Sequence, residues 1–317
     1  MKTKIFIDGS EGTTGLRINE RFENRDDVEL LKIDPELRKD INERKKLINE
    51  SDITFLCLPD AAAIEAVSLV ENEHVRILDT STAHRTEDGW AYGFAELSKG
   101  HREAIRTGNR IAVPGCHATG LISLIYPLTA GGGLPKDYPV TAFSLTGYSG
   151  GGKKMIAEYE GTERSPLLDA PREYALSQQH KHLKEMKKIT GLTRTPMFSP
   201  IVADYYSGMV VSTPLYTDML TGKQTPESVR EYLADYYSGE QFIHVMPFGE
   251  EAKERNFLSG NGASGWDGLE IYVTGNEERI LLSSRFDNLG KGASGAAIQC
   301  MNIILGCEED RGLNLNR

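Results

Sequence analysis

The chain has few cysteines, no long apolar run and no concentration of basic charge, and each absence removes a class of protein. The four cysteines, Cys57, Cys116, Cys300 and Cys307, include no CxxC pair. In a chain of this length neither a disulfide framework nor a structural zinc site is expected, and no metal is expected elsewhere. No apolar stretch approaches membrane-spanning length, and the opening MKTKIFIDGS lacks the apolar core of a signal peptide. The expectation is a cytoplasmic, reducing location, where a thiol stays free for chemistry. Lys and Arg total 36 against 46 Asp and Glu, and they are scattered. Without a basic stripe, no nucleic-acid surface is expected. There is no repeat and no low-complexity linker.

What is present is an ordinary globular composition, long enough at 317 residues for one large domain or two average ones. Residues 1–115 alternate short apolar runs with helical patterns. KIFID (4–8), VELLKI (28–33), ITFLCLP (53–59), VRILDT (75–80) and NRIAVP (109–114) read as strands. Segments 16–22, 37–48 and 61–70 read as helices between them. The near-continuous apolar content of 53–59 suits a central strand covered on both faces. Such alternation predicts right-handed βαβ units and a doubly wound parallel sheet of Rossmann type.

After Gly131 the texture changes. PVTAFSLTGYSG (139–150) reads as a long strand entering a glycine-rich loop, and 200–216 and 241–248 carry sheet-forming residues. GLEIYVTG and RILLSSRFDN predict a hairpin turning at Gly275 to Glu278. This part is expected to be an α+β catalytic domain with a mixed or antiparallel sheet. GASGAAIQCMNIILG (292–306) predicts an apolar helix returning to the first domain. The domain expectation is therefore 1–115, with 290–317 packing back on it, and 116–289 for catalysis, substrate and oligomerisation.

DGSEGTTG places Gly9, Gly12 and Gly15 between the first strand and helix. Glycines allow a tight turn and close backbone approach, and the helix N-terminus offers free N–H groups to a phosphate. The spacing is GxxGxxG, a variant of the commoner pattern, and the plain alternative is a simple strand–helix turn. Its place at the first βα junction favours dinucleotide binding, with Gly9, Ser10, Gly12, Thr13, Thr14 and Gly15 as candidates. Asp34 follows Gly15 by 19 residues, where an acid could bond a ribose 2′-OH and favour NAD. Lys32, Arg38 and Lys39 could instead meet a 2′-phosphate, so the residues leave NAD and NADP open.

In RIAVPGCHATG (110–120), Pro114-Gly115 bends the chain after a strand, and an apolar helical pattern follows Cys116. A thiol at a helix N-terminus feels the positive end of the macrodipole, which favours thiolate. Cys57, Cys300 and Cys307 lie in apolar elements and read as packing. A nucleophilic thiol needs an acid or base nearby. His117 neighbours Cys116, but adjacent residues on a helix point in different directions. His180 and His182, in QQHKHLKEM, read as lying on a helix two residues apart, so one at most should face a pocket. The plain alternative is two solvated histidines. His84 and Arg85 lie in DTSTAHR, after a strand's C-terminal end, where ligands of open α/β sheets bind. Arg85 could hold an anionic group, and so could the backbone of YSGGGKK (148–154).

Together these motifs resemble the N-acetyl-γ-glutamyl-phosphate reductases. IAVPGCHATGLISLIYP is similar to that family's cysteine signature, HKHLKEM to its His-x-His-x-x-Glu segment, and DNLGKGASGAAIQCMNIILG to its ending. GSEGTTG and DTSTAHR also fit, the resemblance covers the whole chain, and TGYSGGGKK suggests the compact subgroup. His117 stands where many members carry an aromatic residue, and Leu124 where a small one is usual.

The resemblance implies that Cys116 attacks the acyl carbon of N-acetyl-L-glutamyl 5-phosphate and expels phosphate. The thioester then takes hydride from NADPH, giving N-acetyl-L-glutamate 5-semialdehyde in the third step of arginine biosynthesis. It implies an acid/base role for His182 or His180, with a lean to His182. Arg85, Ser81, Ser149, Gly150 and Lys153 become candidates for the substrate phosphate or α-carboxylate, and Arg38, Ser81, Asn288 and Gly290 for NADP(H). It also implies a homo-oligomer, a tetramer or dimer. Aminoadipyl and aspartyl phosphates are rival substrates. The PGCHATG wording argues against the aspartate enzyme by resemblance, while lengthening the substrate by one methylene discriminates by only about 1–3 kcal/mol and leaves the aminoadipyl reading open. A non-catalytic nucleotide-binding regulator is the rival from another class.

Overall fold

A computed structural model of the chain describes residues 2–23 and 25–316; the ends 1 and 317 of the expected domain ranges lie outside the described residues. Two compact units are present. One comprises the residues up to Gly115 with Ala293–Asn314, the other Cys116–Gly292 with the residues from Leu315.

In the first unit the chain alternates as read: β1 (Thr3–Asp8), α1 (Thr13–Phe22), β2 (Val28–Leu31), α2 (Ile41–Glu50), β3 (Ile53–Leu56), α3 (Asp60–Ser68) and β4 (Arg76–Asp79). Then follow β5 (Ala91–Tyr92), α4 (Lys99–Thr107) and β6 (Arg110–Ala112), of which β5 and α4 are additions to the elements expected from the sequence. The strands form one sheet in the order β2-β1-β3-β4-β6-β5, and every pairing is parallel. β3 is buried at all four positions, Thr54 included, as its near-continuous apolar run requires. α2 begins at Ile41 rather than at 37. Asp40 caps it by accepting the Asn42 and Glu43 N–H groups, each at 2.9 Å, and a capping carboxylate fixes a helix start better than apolar spacing does.

The second unit runs α5 (Cys116–Ala130), β7 (Thr141–Gly147), α6 (Gly152–Glu160), β8 (Arg172–Glu173), α7 (Leu183–Thr190), β9 (Met197–Ala203) and β10 (Met209–Tyr216). It continues with α8 (Pro226–Tyr236), β11 (Ile243–Val245), β12 (Leu269–Gly275) and β13 (Arg279–Phe286). Its mixed sheet has the order β11-β12-β13-β10-β7-β9-β8. The β12–β13 hairpin forms where the sequence placed it, with Gly275 opposite Ile280. The sheet-forming segment 200–216 contributes to two strands, β9 and β10, and β7 lies between them in the sheet. Segment 148–154 is no open loop. A 3₁₀ turn over 148–151 leads directly into α6.

One sheet face is covered by helices, while Phe143, Met197, Tyr216 and Leu281 alternate out on the other and are 40–60% exposed. α5 is the central helix, buried along nearly its whole length. A Cβ on Gly120 would lie 2.3 Å from Val211, so this glycine lets α5 press against β10, and the Ser284 hydroxyl donates to its carbonyl at 3.2 Å. α5 also contains Pro127, which has no N–H for the Ser123 carbonyl one turn back. The Tyr237 hydroxyl supplies that bond at 2.7 Å. The last helix, α9 (Gly295–Leu305), belongs to the first unit, where Ala296, Ala297, Ile298, Cys300, Met301 and Ile303 join Ile5, Phe55 and Ile111 in one core.

Candidate active site

The first unit carries the glycine loop. Gly9 has φ +86°, and a Cβ there would meet the Cys57 carbonyl oxygen at 2.4 Å; one on Gly15 would lie 2.5 Å from the Gly9 oxygen. These two glycines shape the turn. Gly12 differs, since its nearest neighbours would be at 3.5 and 3.7 Å, and it opens α1 without a side-chain cap. The first-turn amides of α1 are thus available to an anion, and no acidic side chain lies in that turn. The Thr13 hydroxyl is buried with no protein partner beside them. This donor set fits a dinucleotide phosphate.

After β2, Asp34 is exposed, and its carboxylate accepts the Glu36 N–H of its own turn at 2.9 Å. Arg38 is half exposed and pairs with Glu11 of the glycine loop at 3.2 Å. The strand end after β4 is tightly built. Buried Asp79 accepts the Ser81 N–H at 2.9 Å and hydroxyl at 2.7 Å, and lies 2.6 Å from His84 Nδ1. The His84 ring stacks on Trp90 at 4.1 Å. Arg85 is buried and donates to the carbonyls of Val113 and Thr80, each at 2.8 Å.

The second unit carries the thiol. Cys116 opens α5, half-buried, at the positive end of a fifteen-residue helix. Phe286 and Asp287 lead to Gly292, which must be glycine, since a Cβ there would come 2.9 Å from the Cys116 Cβ. By contrast Cys57 is half-buried against the apolar core, and desolvation pushes its thiol up to about 12, which makes it a poor nucleophile.

The histidines differ from the sequence reading. α7 starts at Leu183, so His180 and His182 precede it on a turn and escape the rule that i and i+2 diverge on a helix. The His182 N–H donates to His180 Nδ1 at 3.2 Å, and the two ring centroids are 4.7 Å apart. They are not two solvated side chains. His182 is buried, and both rings converge on His117, at 5.3 Å for His180 and 5.5 Å for His182. Gln178 holds this turn to the sheet, exchanging two hydrogen bonds with the Phe198 backbone at 2.8 and 2.9 Å.

His117 is the residue the sequence undervalued. It follows Cys116 in the chain and is buried, with Nδ1 2.6 Å from the Ser144 hydroxyl and Nε2 2.7 Å from the Tyr174 hydroxyl. Burial depresses its pKa to about 3, helped by His180, so the ring is neutral. Tyr174 and Ser144 carry no sequence signal, because nothing local marks them. Tyr174 N–H bonds Pro200 O at 3.0 Å, and Pro200 lies opposite Ser144, so strand register alone lines the three up under α5.

The remaining candidates also belong to the second unit. Ser149 is buried, and its hydroxyl accepts from Asn288 Nδ2 at 3.0 Å, while Asn288 Oδ1 accepts the Gly208 N–H at 2.8 Å. Gly150 and Lys153 are exposed on the turn and on α6. Gly290 packs against the Trp266 carbonyl, 2.7 Å from where a Cβ would stand.

Residues 4–107 match the NAD binding domain of the semialdehyde dehydrogenases, and residues 116–288 match their dimerisation domain. An N-acetyl-gamma-glutamyl-phosphate reductase 2 of Nostoc sp. is 45% identical over 98% of this chain and 99% of its own. The chain belongs to the N-acetyl-γ-glutamyl-phosphate reductase family. Its resemblance to that family, read from the motifs, is thereby established. A second member, the N-acetyl-gamma-glutamyl-phosphate reductase of Sinorhizobium medicae, is 46% identical over 96% of this chain and 99% of its own. Among solved structures, aspartate semialdehyde dehydrogenase II of Vibrio cholerae superposes with a TM-score of 0.71, covering 96% of this chain and 99% of its own. At 14% identity that likeness shows the fold alone, a parallel dinucleotide-type sheet with a mixed sheet. Membership in the reductase family brings a nicotinamide cofactor with the matched domain. Among the described residues, no helix is long and apolar enough to cross a membrane.

Proposed function

We propose that this chain is an NADPH-dependent reductase of N-acetyl-L-glutamyl 5-phosphate, acting through a thioester on Cys116. The observation that carries the reading is a thiol at the opening of α5, in a unit where His180 and His182 converge, within a chain of this family. The thiol gives its proton to an imidazole, for which we take His182, the more buried of the pair. The thiolate sulfur forms a bond to the acyl carbon, the bond from that carbon to the phosphate oxygen breaks, and phosphate leaves. The nicotinamide, when bound, supplies hydride. A thioester accepts hydride more readily than a carboxylate, and collapse of the resulting adduct returns thiolate and releases the semialdehyde.

For the cofactor, the glycine loop with its open Gly12 and the lone Thr13 hydroxyl would hold the phosphates. NADP is favoured over NAD because Arg38, half exposed beside the glycine loop, has guanidinium donors beyond the one paired with Glu11 to offer a 2′-phosphate. Arg85, Ser149 and Lys153 stay candidates for substrate anions, Arg85 being already held by the carbonyls of Val113 and Thr80. The first 115 residues with the C-terminal helix would bind the cofactor, and the remainder the substrate. A homo-oligomer in the cytoplasm completes the reading. Its support is the bare apolar sheet face and the match to a dimerisation domain.

The test is the reverse reaction: N-acetylglutamate semialdehyde, phosphate and NADP, with formation of reduced cofactor followed. Wild type should turn over only with phosphate present, and Cys116→Ala should be inactive. His182→Asn should lose far more rate than His180→Asn. No turnover by wild type, or full turnover by Cys116→Ala, would sink the proposal, and the one-carbon-longer semialdehyde run alongside decides between the substrate homologues.

A further inference from the structure

We propose that His117 is a positioning residue, which turns the hydroxyl hydrogen of Tyr174 away from the core and toward the acyl group carried on Cys116, making Tyr174 a hydrogen-bond donor in the reaction. The inference rests on the reading of Cys116 as nucleophile. It follows from counting hydrogens along a buried chain of three side chains.

Ser144 is fully buried, and its hydroxyl has a single partner among the described residues, Nδ1 of His117 at 2.6 Å. A hydroxyl has one hydrogen to give. Were His117 to donate from Nδ1, the Ser144 hydrogen would be buried with no acceptor, a cost that native cores avoid. Ser144 therefore donates and His117 Nδ1 accepts. The ring is neutral, so its one proton sits on Nε2. Nε2–H then donates to the Tyr174 oxygen at 2.7 Å, since two donors cannot share the bond. The phenol oxygen is an acceptor in this chain, and its own hydrogen has no protein acceptor among the described residues.

That hydrogen is close to the chemistry. His117 is the next residue after Cys116, and Tyr174 is bonded to its ring. Ionisation of Tyr174 is opposed first by burial and then by the charge of a Cys116 thiolate, so the phenol stays protonated through the working pH range. It would offer a neutral donor to negative charge developing on the acyl oxygen, the role in which preorganised donors count most. An aromatic residue at position 117 could pack there but could not set this direction.

The experiment measures kcat and KM for the reverse reaction in Tyr174→Phe, His117→Phe, His117→Gln and the variant carrying both Phe substitutions, with melting and iodoacetamide labelling of Cys116 as controls. Tyr174→Phe should lower kcat on the order of a hundredfold with KM for the semialdehyde unchanged. His117→Phe should lose a similar factor, and the double variant should be no worse than either single. His117→Gln keeps an N–H near the Nε2 position and should recover much of the rate. Labelling of Cys116 should keep its wild-type rate throughout. Wild-type kcat in Tyr174→Phe or in His117→Phe overturns the proposal, and so does a rate loss matched by slowed labelling, which would mean a displaced helix. Full turnover by Cys116→Ala would overturn instead the reading on which the proposal rests.

Discussion

Replacing Tyr237 by phenylalanine should destabilise the second unit by about 1–3 kcal/mol, the cost of leaving one buried polar group unsatisfied. The group is the Ser123 carbonyl of α5, whose helix partner would be the N–H of residue 127, and Pro127 has none. Phenylalanine preserves the ring in a site only 3% exposed, so packing changes little and the lost hydrogen bond dominates. The reasoning predicts a specific rescue. Pro127→Ala supplies an N–H one turn after Ser123 and removes the ring clash, so it should help in both backgrounds, but more when Tyr237→Phe is also present. The coupling in that cycle should be about 1–2 kcal/mol. With only two tryptophans in the chain, a Trp90→Phe background leaves Trp266, which lies in the second unit, as the sole fluorescence reporter. Urea unfolding of the four proteins in that background gives the cycle directly. Additivity within about 0.5 kcal/mol would refute the claim that Tyr237 substitutes for the missing amide.

Protonation supplies a second test. His117 is held neutral down to about pH 3, whereas in the unfolded chain it would titrate near 6.5. Its depressed pKa adds stability that is fully present above 6.5 and drains away as pH falls toward 3. At pH 5 the loss from this one ring should be on the order of 2 kcal/mol. Urea midpoints at pH 7 and pH 5 should therefore fall further for wild type than for His117→Phe, and equal falls would contradict the neutral assignment. Arg38→Ala should raise KM for NADPH by roughly 10–100-fold, the worth of a charge-assisted bond, with NADH barely affected; an equal change for both cofactors would remove the 2′-phosphate from the argument. Phe143→Asp with Met197→Asp places charge on the bare sheet face and should lower the mass seen by light scattering. An unchanged oligomer would move the interface elsewhere.

Much of the architecture is legible in the sequence. The parallel sheet was readable because β1, β3 and β4 are buried apolar runs separated by helices, a pattern that few folds satisfy. The glycine loop and the cysteine turn were legible for the same reason: each lies at a strand-to-helix junction, where local chemistry and position agree. Short pieces were not. β5 has two residues and β8 two, too few for any period, and both exist through pairing with β6 and β9. The start of α2 was misread by four residues because apolar spacing outweighed the cap at Asp40.

The chain by itself determined the inventory of reactive groups and the turns that present them: a thiol after Pro114-Gly115, a glycine loop after β1, two histidines in one short segment. These are properties of neighbours in sequence, governed by backbone dihedrals and helix ends. Tertiary structure decided protonation and direction. His117 is a neutral relay because Ser144, 27 residues away, and Tyr174, 57 away, meet its two nitrogens in a buried place. Burial sets its charge, and the hydroxyl opposite sets its tautomer. Neither is a property of the residues adjacent to it in the chain.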